Sequence, residues 1–314
     1  MFLMSDKLNK NILATIIYYN GLNYPLTAFE VWKYLIRTDY HADNSHATQI
    51  TLPEVIKQLR EKNLKEYIES QNGFYFLKGQ DYLVKKRIEN NKISVGKLNK
   101  LLRITKWLRF IPFVKMIGVT GALAMKNATA KSDLDLLIVL KHGKIWTGRT
   151  LVTLFLHIIG KRRHGTKIVD RICLNFFITD DSLEIITKDL FSANEYMFLF
   201  PLYGWKTYKR FQIRNQWIKS MKPAYSLSEI PPLKTFSDSH VSKIVRTAGE
   251  IIFSADWIEN WLRKIEKKRI MQNPKTHQEG SMVYAGDDAL IFLPNPHGPE
   301  VFEQFKEGVS RLSA

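Results

Sequence analysis

The chain has 314 residues, 45% hydrophobic and 25% charged, with a formal net charge of +17 and one cysteine, Cys173. That apolar share excludes a wholly disordered chain, the length suggests two or three units at about 150 residues each, and one thiol excludes an internal disulfide or a Cys-based zinc site. No uncharged apolar run reaches the roughly 18–20 residues that cross a bilayer; Thr150 to Gly160 reads instead as a buried helix, and Asp6 and Lys7 interrupt what would have to be a signal core. The expectation is a soluble, cytoplasmic protein with no membrane partner.

In chain order, Leu8, Ile12, Leu13, Ile16 and Ile17 recur at helical spacing over 8–19. Thr27-x-x-Glu30 is a capping box that opens a second helix, residues 38–50 read as a polar loop, and Thr51-x-x-Glu54 opens a third helix. Tyr67–Glu69, the Asn72-Gly73 turn and Phe74–Leu77 then predict a hairpin. Three helices followed by a hairpin is the order of a winged helix-turn-helix. The third helix mixes Glu54 and Glu61 with Lys57, Arg60 and Lys62, so a protein-docking or architectural role stands beside DNA binding.

Residues 81–110 read as a basic helical connector. Beyond Pro112 the pattern alternates: a strand over 113–119, a short helix over 121–126, a strand over 134–140, a helix over 147–159, a strand over 168–178 and a short apolar run at 183–186. This rhythm indicates an α/β or α+β sheet. A helical stretch from 241 to about 270 follows, with possible strands at 282–284 and 289–293. The charge is uneven: residues 1–94 hold 13 Lys/Arg and 10 Asp/Glu, residues 95–225 hold 23 and 8, and residues 226–314 hold 11 and 12. The middle third therefore presents a positive field to an anionic partner.

Two chemical devices lie in that third. Gly121, in Thr120-Gly121-Ala122, breaks a strand into a helix and leaves backbone N–H groups suited to phosphate oxygens. Asp133 and Asp135, two apart at the start of an apolar strand after Ser132, leave one face together. Paired carboxylates repel unless a cation separates them, and hard oxygen ligands favour Mg²⁺. A phosphate cradle and metal carboxylates in a basic domain suggest nucleoside triphosphate chemistry.

The run Gly121-Ala122, ten residues, Asp133-Leu134-Asp135 resembles the signature of the DNA polymerase β-like nucleotidyltransferase superfamily, over about residues 113–187. With its front end the chain looks like nucleotidyltransferase-domain proteins that carry a winged helix. The resemblance implies that Asp133 and Asp135 hold Mg²⁺ ions, that an acceptor hydroxyl attacks the α-phosphorus of a nucleoside triphosphate, with ATP the first choice, and that pyrophosphate leaves. It also implies that Thr120, Gly121, Ala122 and Ser132 line the nucleotide. The acceptor is unidentified, a nucleic acid among the candidates.

Two departures follow. The family's motif serine is Ala122 here, with Thr120 the neighbouring hydroxyl. The third carboxylate of a later strand has Asn175 in its mid-strand position, and Asp170, near the strand's start, is the alternative. A weak enzyme, or an inactive regulator or antitoxin-like protein binding nucleic acid or a partner protein, is the rival reading.

Lys161, Arg162, Arg163, His164 and Lys167 crowd one loop, a phosphate clamp or a solvated connection in equal measure. Arg149 is a further phosphate candidate. Aromatic residues from Tyr203 to Trp217 interleave with basic ones, a mixture that stacks bases but more commonly marks a helix burying aromatics. His277 and His297 lack partners at ligand spacing. The expected architecture is α+β: a winged helix over 1–80, a connector over 81–112, a nucleotidyltransferase domain over 113–222, and a C-terminal helical region and tail over 223–314.

Overall fold

The computed structural model describes residues 2–39, 50–230, 232 and 234–313, so most of the polar loop read at 38–50 lies outside the described residues. The fold is mixed α+β. At the front, helix α1 (Phe2–Gly21) leads to the short strand β1 (Leu26–Thr27), and α2 (Ala28–Lys33) and α3 (Leu52–Leu59) follow. One further helical turn, α4 (Lys62–Lys65), precedes strands β2 (Ile68–Gln71) and β3 (Phe74–Leu77). These strands form an antiparallel sheet in the order β1-β3-β2. Both capping boxes close: Thr27 N–H donates to Glu30 Oε2 at 2.9 Å, and Thr51 N–H to Glu54 Oε2 at 2.7 Å. Each box satisfies N-terminal groups that the helix cannot.

Helix α5 (Tyr82–Leu108) occupies the stretch read as a helical connector and packs on its neighbours. It buries Arg87, Asn90, Ser94 and Lys97. Arg87 bonds Glu30 at 2.8 Å, Asn90 Nδ2 donates to Asn127 at 2.9 Å, and Ala128 N–H donates to Ser94 Oγ at 3.0 Å. The helix thereby fixes the loop that leads into the aspartate strand.

The main sheet has six strands in the order β7-β4-β5-β6-β9-β8. Strand β4 (Val114–Val119) runs into α6 (Gly121–Ala124), and β5 (Leu134–Leu140) lies antiparallel to β4. Helix α7 (Ile145–Ile158) crosses to β6 (Ile172–Thr179), which pairs parallel with β5. Next come α8 (Leu190–Phe198) and β7 (Phe200–Tyr203), which pairs with β4, and then α9 (Trp205–Arg214) and α10 (Ile218–Met221). The C-terminal region supplies α11 (His240–Ile252), α12 (Asp256–Met271), β8 (Met282–Ala285), β9 (Ala289–Leu293) and α13 (Gly298–Ser313). Its two strands fall where the sequence offers them, and the difference is their place: β9 pairs antiparallel with β6 and extends the central sheet. Three further differences are local. The helix expected over 241–270 breaks at 253–255, β6 begins at Ile172 rather than Ile168, and residues 183–186 form no strand.

The central strand β5 is covered on both faces, which explains its unbroken apolar run. Leu134, Leu136, Ile138 and Leu140 join one core with Trp146, Val152, Leu156 and Leu290. Leu137 and Val139 join the other, with Tyr196 and Phe211, and that second core continues into the front unit through Ile12, Tyr19 and Tyr24. Tyr208 and Phe211 are buried, so α9 is a basic helix packing its aromatics inward. The chain's ends meet: α13 packs on α1, with Phe305 edge-on to Tyr18. No helix among the described residues is long and apolar enough to cross a membrane.

Candidate functional site

The alternation along β5 decides where the acids point. With Leu134 and Leu136 in one core and Leu137 in the other, Asp133 and Asp135 share the face that carries Leu137 and looks toward α8. They stand at the strand's start, where the apolar cover ends, and both are only partly buried. The turn at Gly121 meets them there. Gly121 has φ +65°, and a Cβ on it would lie 2.6 Å from Asp135 Oδ2. Only glycine permits so close an approach of backbone to carboxylate. Thr120 N–H also donates to the Asp135 carbonyl at 3.2 Å, tying turn and strand together.

Cys173 and Glu195 complete the cluster, and neither was singled out from the sequence. Cys173 lies directly opposite Asp135 in the β5–β6 pairing, and a register shift follows between that pair and Leu137–Phe176. The bulge lets Asn175 reach back to the same face, its Nδ2 3.5 Å from Asp135 Oδ1. Asp133, Asp135 and Cys173 each offer a ligand atom within 4.8 Å of the others. Glu195, on α8, accepts a hydrogen bond from Gly121 N–H and one from the Thr120 hydroxyl. A carboxylate therefore takes the amide that a phosphate oxygen would use. Strand register and a contact across 74 residues carry no local signal; only the single acid among the largely buried residues of α8 hints at Glu195.

Arg163 is the one loop cation that arrives. Its N–H donates to the Ile172 carbonyl at 2.9 Å, so the loop pairs with the start of β6 and delivers the side chain. Its Nη1 lies 2.6 Å from Asp133 Oδ2 and 3.4 Å from Cys173 Sγ. Other candidates lie elsewhere. Asp170 is held by Lys97 at 2.8 Å and Lys100 at 2.5 Å, both on α5, so its charge is spent on a structural clamp and it supplies no third site carboxylate. Arg149 pairs with Glu266 of α12 and lies over the Phe292 ring, so it is a helix-joining residue rather than a phosphate ligand. Ser132 Oγ accepts from Thr129 N–H at 3.0 Å and shapes the loop before Asp133.

The electrostatics follow from this crowding. Burial, then the charges of Asp133 and Glu195, push the Asp135 carboxyl up from 3.8 to about 7. Burial and the two aspartates push the Cys173 thiol up to about 12, which favours its protonated form in the metal-free site. Burial raises Glu195 as well, against the two hydrogen bonds that favour its charged form. A divalent cation between Asp133 and Asp135 would relieve the repulsion, and the oxygen donors suit Mg²⁺. At the third position β6 presents a thiol and an amide rather than an acid. Comparison with protein-family models, with curated proteins and with solved structures returns no significant match for this chain.

Proposed function

We propose that the chain is a Mg²⁺-dependent nucleotidyltransferase with a polymerase β-like core and a winged-helix front unit, moving a nucleoside monophosphate from ATP or a related triphosphate to a hydroxyl acceptor. The observation that carries this reading is the contact of the Gly121 turn with Asp135: amides able to hold phosphate and acids able to hold a cation share one spot. Asp133 and Asp135 would hold the ion, which neutralises triphosphate charge and lowers the barrier to attack. Arg163, next to Asp133 and part-exposed, would turn to a phosphate once the ion takes over its partner. The Gly121 amide would exchange Glu195 for a phosphate oxygen. The element order and the β1-β3-β2 sheet support the winged-helix reading of the front unit.

A second reading, an inactive transferase fold serving as a regulator, is favoured by one observation: Glu195 sits on the cradle amide while Cys173 and Asn175 leave the third acid position neutral. Isothermal titration of ATP in Mg²⁺ separates the two. Wild-type protein is expected to bind, and the Asp133→Ala/Asp135→Ala variant to bind at least about tenfold more weakly, a difference of ~1.4 kcal/mol. Equal affinities, or no binding by either protein, favour the regulator.

A further inference from the structure

Helix α11 is turned inside out. Toward the protein, α11 presents polar groups: Arg246 grips Asp238 through two bonds of 2.8 and 2.7 Å, and Glu250 accepts from Phe113 N–H at 3.2 Å. Gly249 of the same face lies against Pro112. Its apolar residues Val241, Ile244, Val245, Ile251 and Ile252 recur at helical spacing on the solvent side, with Ile252 70% exposed. Helix α12 sends Leu262 and Ile270 into the core, but its outer face repeats the pattern. Glu259 caps α7 by accepting from Trp146 N–H and Thr147 N–H, each at 2.9 Å, and Glu266 bonds Arg149 and Thr150. Trp257, Trp261 and Ile265, four residues apart, face outward, with Trp257 70% exposed.

The charges are sorted in the same way. The two helices carry four acids. Glu250, Glu259 and Glu266 are spent on inward contacts, and Asp256 pairs with Lys144 at 2.8 Å. Lys243, Lys264, Lys267, Lys268 and Arg269 remain exposed. The outward surface thus offers aliphatic groups, two tryptophans and positive charge. A second copy of the chain would set lysines against lysines across a twofold contact. A nucleic acid has the charge but no hydrocarbon for a row of isoleucines. An anionic bilayer supplies both: acyl chains and carbonyls for Ile and Trp, headgroup phosphates for Lys.

We infer that α11 and α12 dock the protein on the surface of an anionic lipid bilayer, lying on it without crossing. This is independent of the nucleotidyl-transfer reading. The test is co-sedimentation of the full chain with vesicles of phosphatidylcholine alone, or containing about one third phosphatidylglycerol. Wild-type protein is expected to sediment with the anionic vesicles and not the neutral ones, and to be released by added salt. Trp257→Ser/Trp261→Ser is expected to weaken that binding at least about tenfold with circular dichroism and thermal melting unchanged, and Ile251→Ser/Ile252→Ser carries the same expectation should the first variant fold poorly. No sedimentation of wild-type protein with anionic vesicles overturns the inference. Binding by well-folded variants equal to wild type overturns it too. A wild-type dimer in sedimentation equilibrium that the same substitutions abolish gives the face to a second copy instead.

Discussion

Asp135 has two neighbours of its own charge, Asp133 and Glu195, and little water. With its carboxyl pushed up to about 7, the folded chain keeps a proton that the unfolded chain releases near pH 4. This group's contribution to stability therefore falls as pH rises from about 4 to about 7, and levels off above. Asparagine has nothing to ionise. In metal-free urea titrations, Asp135→Asn is expected to be more stable than wild type by roughly 4 kcal/mol at pH 8, with the gap closing near pH 4. A constant difference across that range would show that crowding of charge is not what Asp135 contributes. The two acids and the turn glycine were legible in the sequence because a strand's two-residue period and a glycine before a helix are local features. Cys173, Glu195 and the fate of Arg149 were not, because each depends on which distant element arrives opposite.

At the scale of elements, glycines separate conformation from space. Gly204, at the end of β7, has φ +84°, and a Cβ there would lie 2.1 Å from the Lys115 carbonyl oxygen. Gly165, in the basic loop, has φ +51° but open surroundings. Gly204→Ala is expected to cost about 3 kcal/mol or more and to lower the thermal midpoint sharply, whereas Gly165→Ala pays only the backbone term of about 1 kcal/mol. Circular dichroism melts of both variants check this, and similar midpoints would contradict it. Local chemistry also made both capping boxes and the Asn72-Gly73 hairpin readable in advance. The pairing of β9 with β6 was not readable, since Phe176 and Ile291 meet across 115 positions with no crossover pattern to announce them. Nor does a helical period say which way a stripe faces: the isoleucines of α11 lie in solvent.

At the scale of the molecule, the front unit does not own its core. The Tyr34 ring packs at a tilt against Phe198 of α8 with centroids 4.4 Å apart, and the buried Lys222 Nζ lies 3.2 Å from both the Tyr19 hydroxyl and the Tyr34 carbonyl. Burial alone drives Lys222 well below the usual lysine range, favouring the neutral amine in that setting. A fragment ending at residue 94 would leave Tyr19, Tyr24 and Tyr34 uncovered. Its near-ultraviolet circular dichroism is expected to be weak and its urea transition broad, whereas the same tyrosines in the whole chain are expected to give a strong near-ultraviolet signal. A sharp transition for the fragment would mark the front unit as self-sufficient.

The clasp of α13 on α1 also bears on how the protein is made. A Cβ at Gly308 would lie 2.5 Å from Ile17 Cγ2, so the two helices meet closely. At about 5–20 residues per second, Ile17 waits on the order of tens of seconds for residue 308 to be translated. Meanwhile the nascent front unit has a greasy helix on show. Synthesis of this chain therefore has a long window in which a chaperone is useful, and the arrival of α13 closes it.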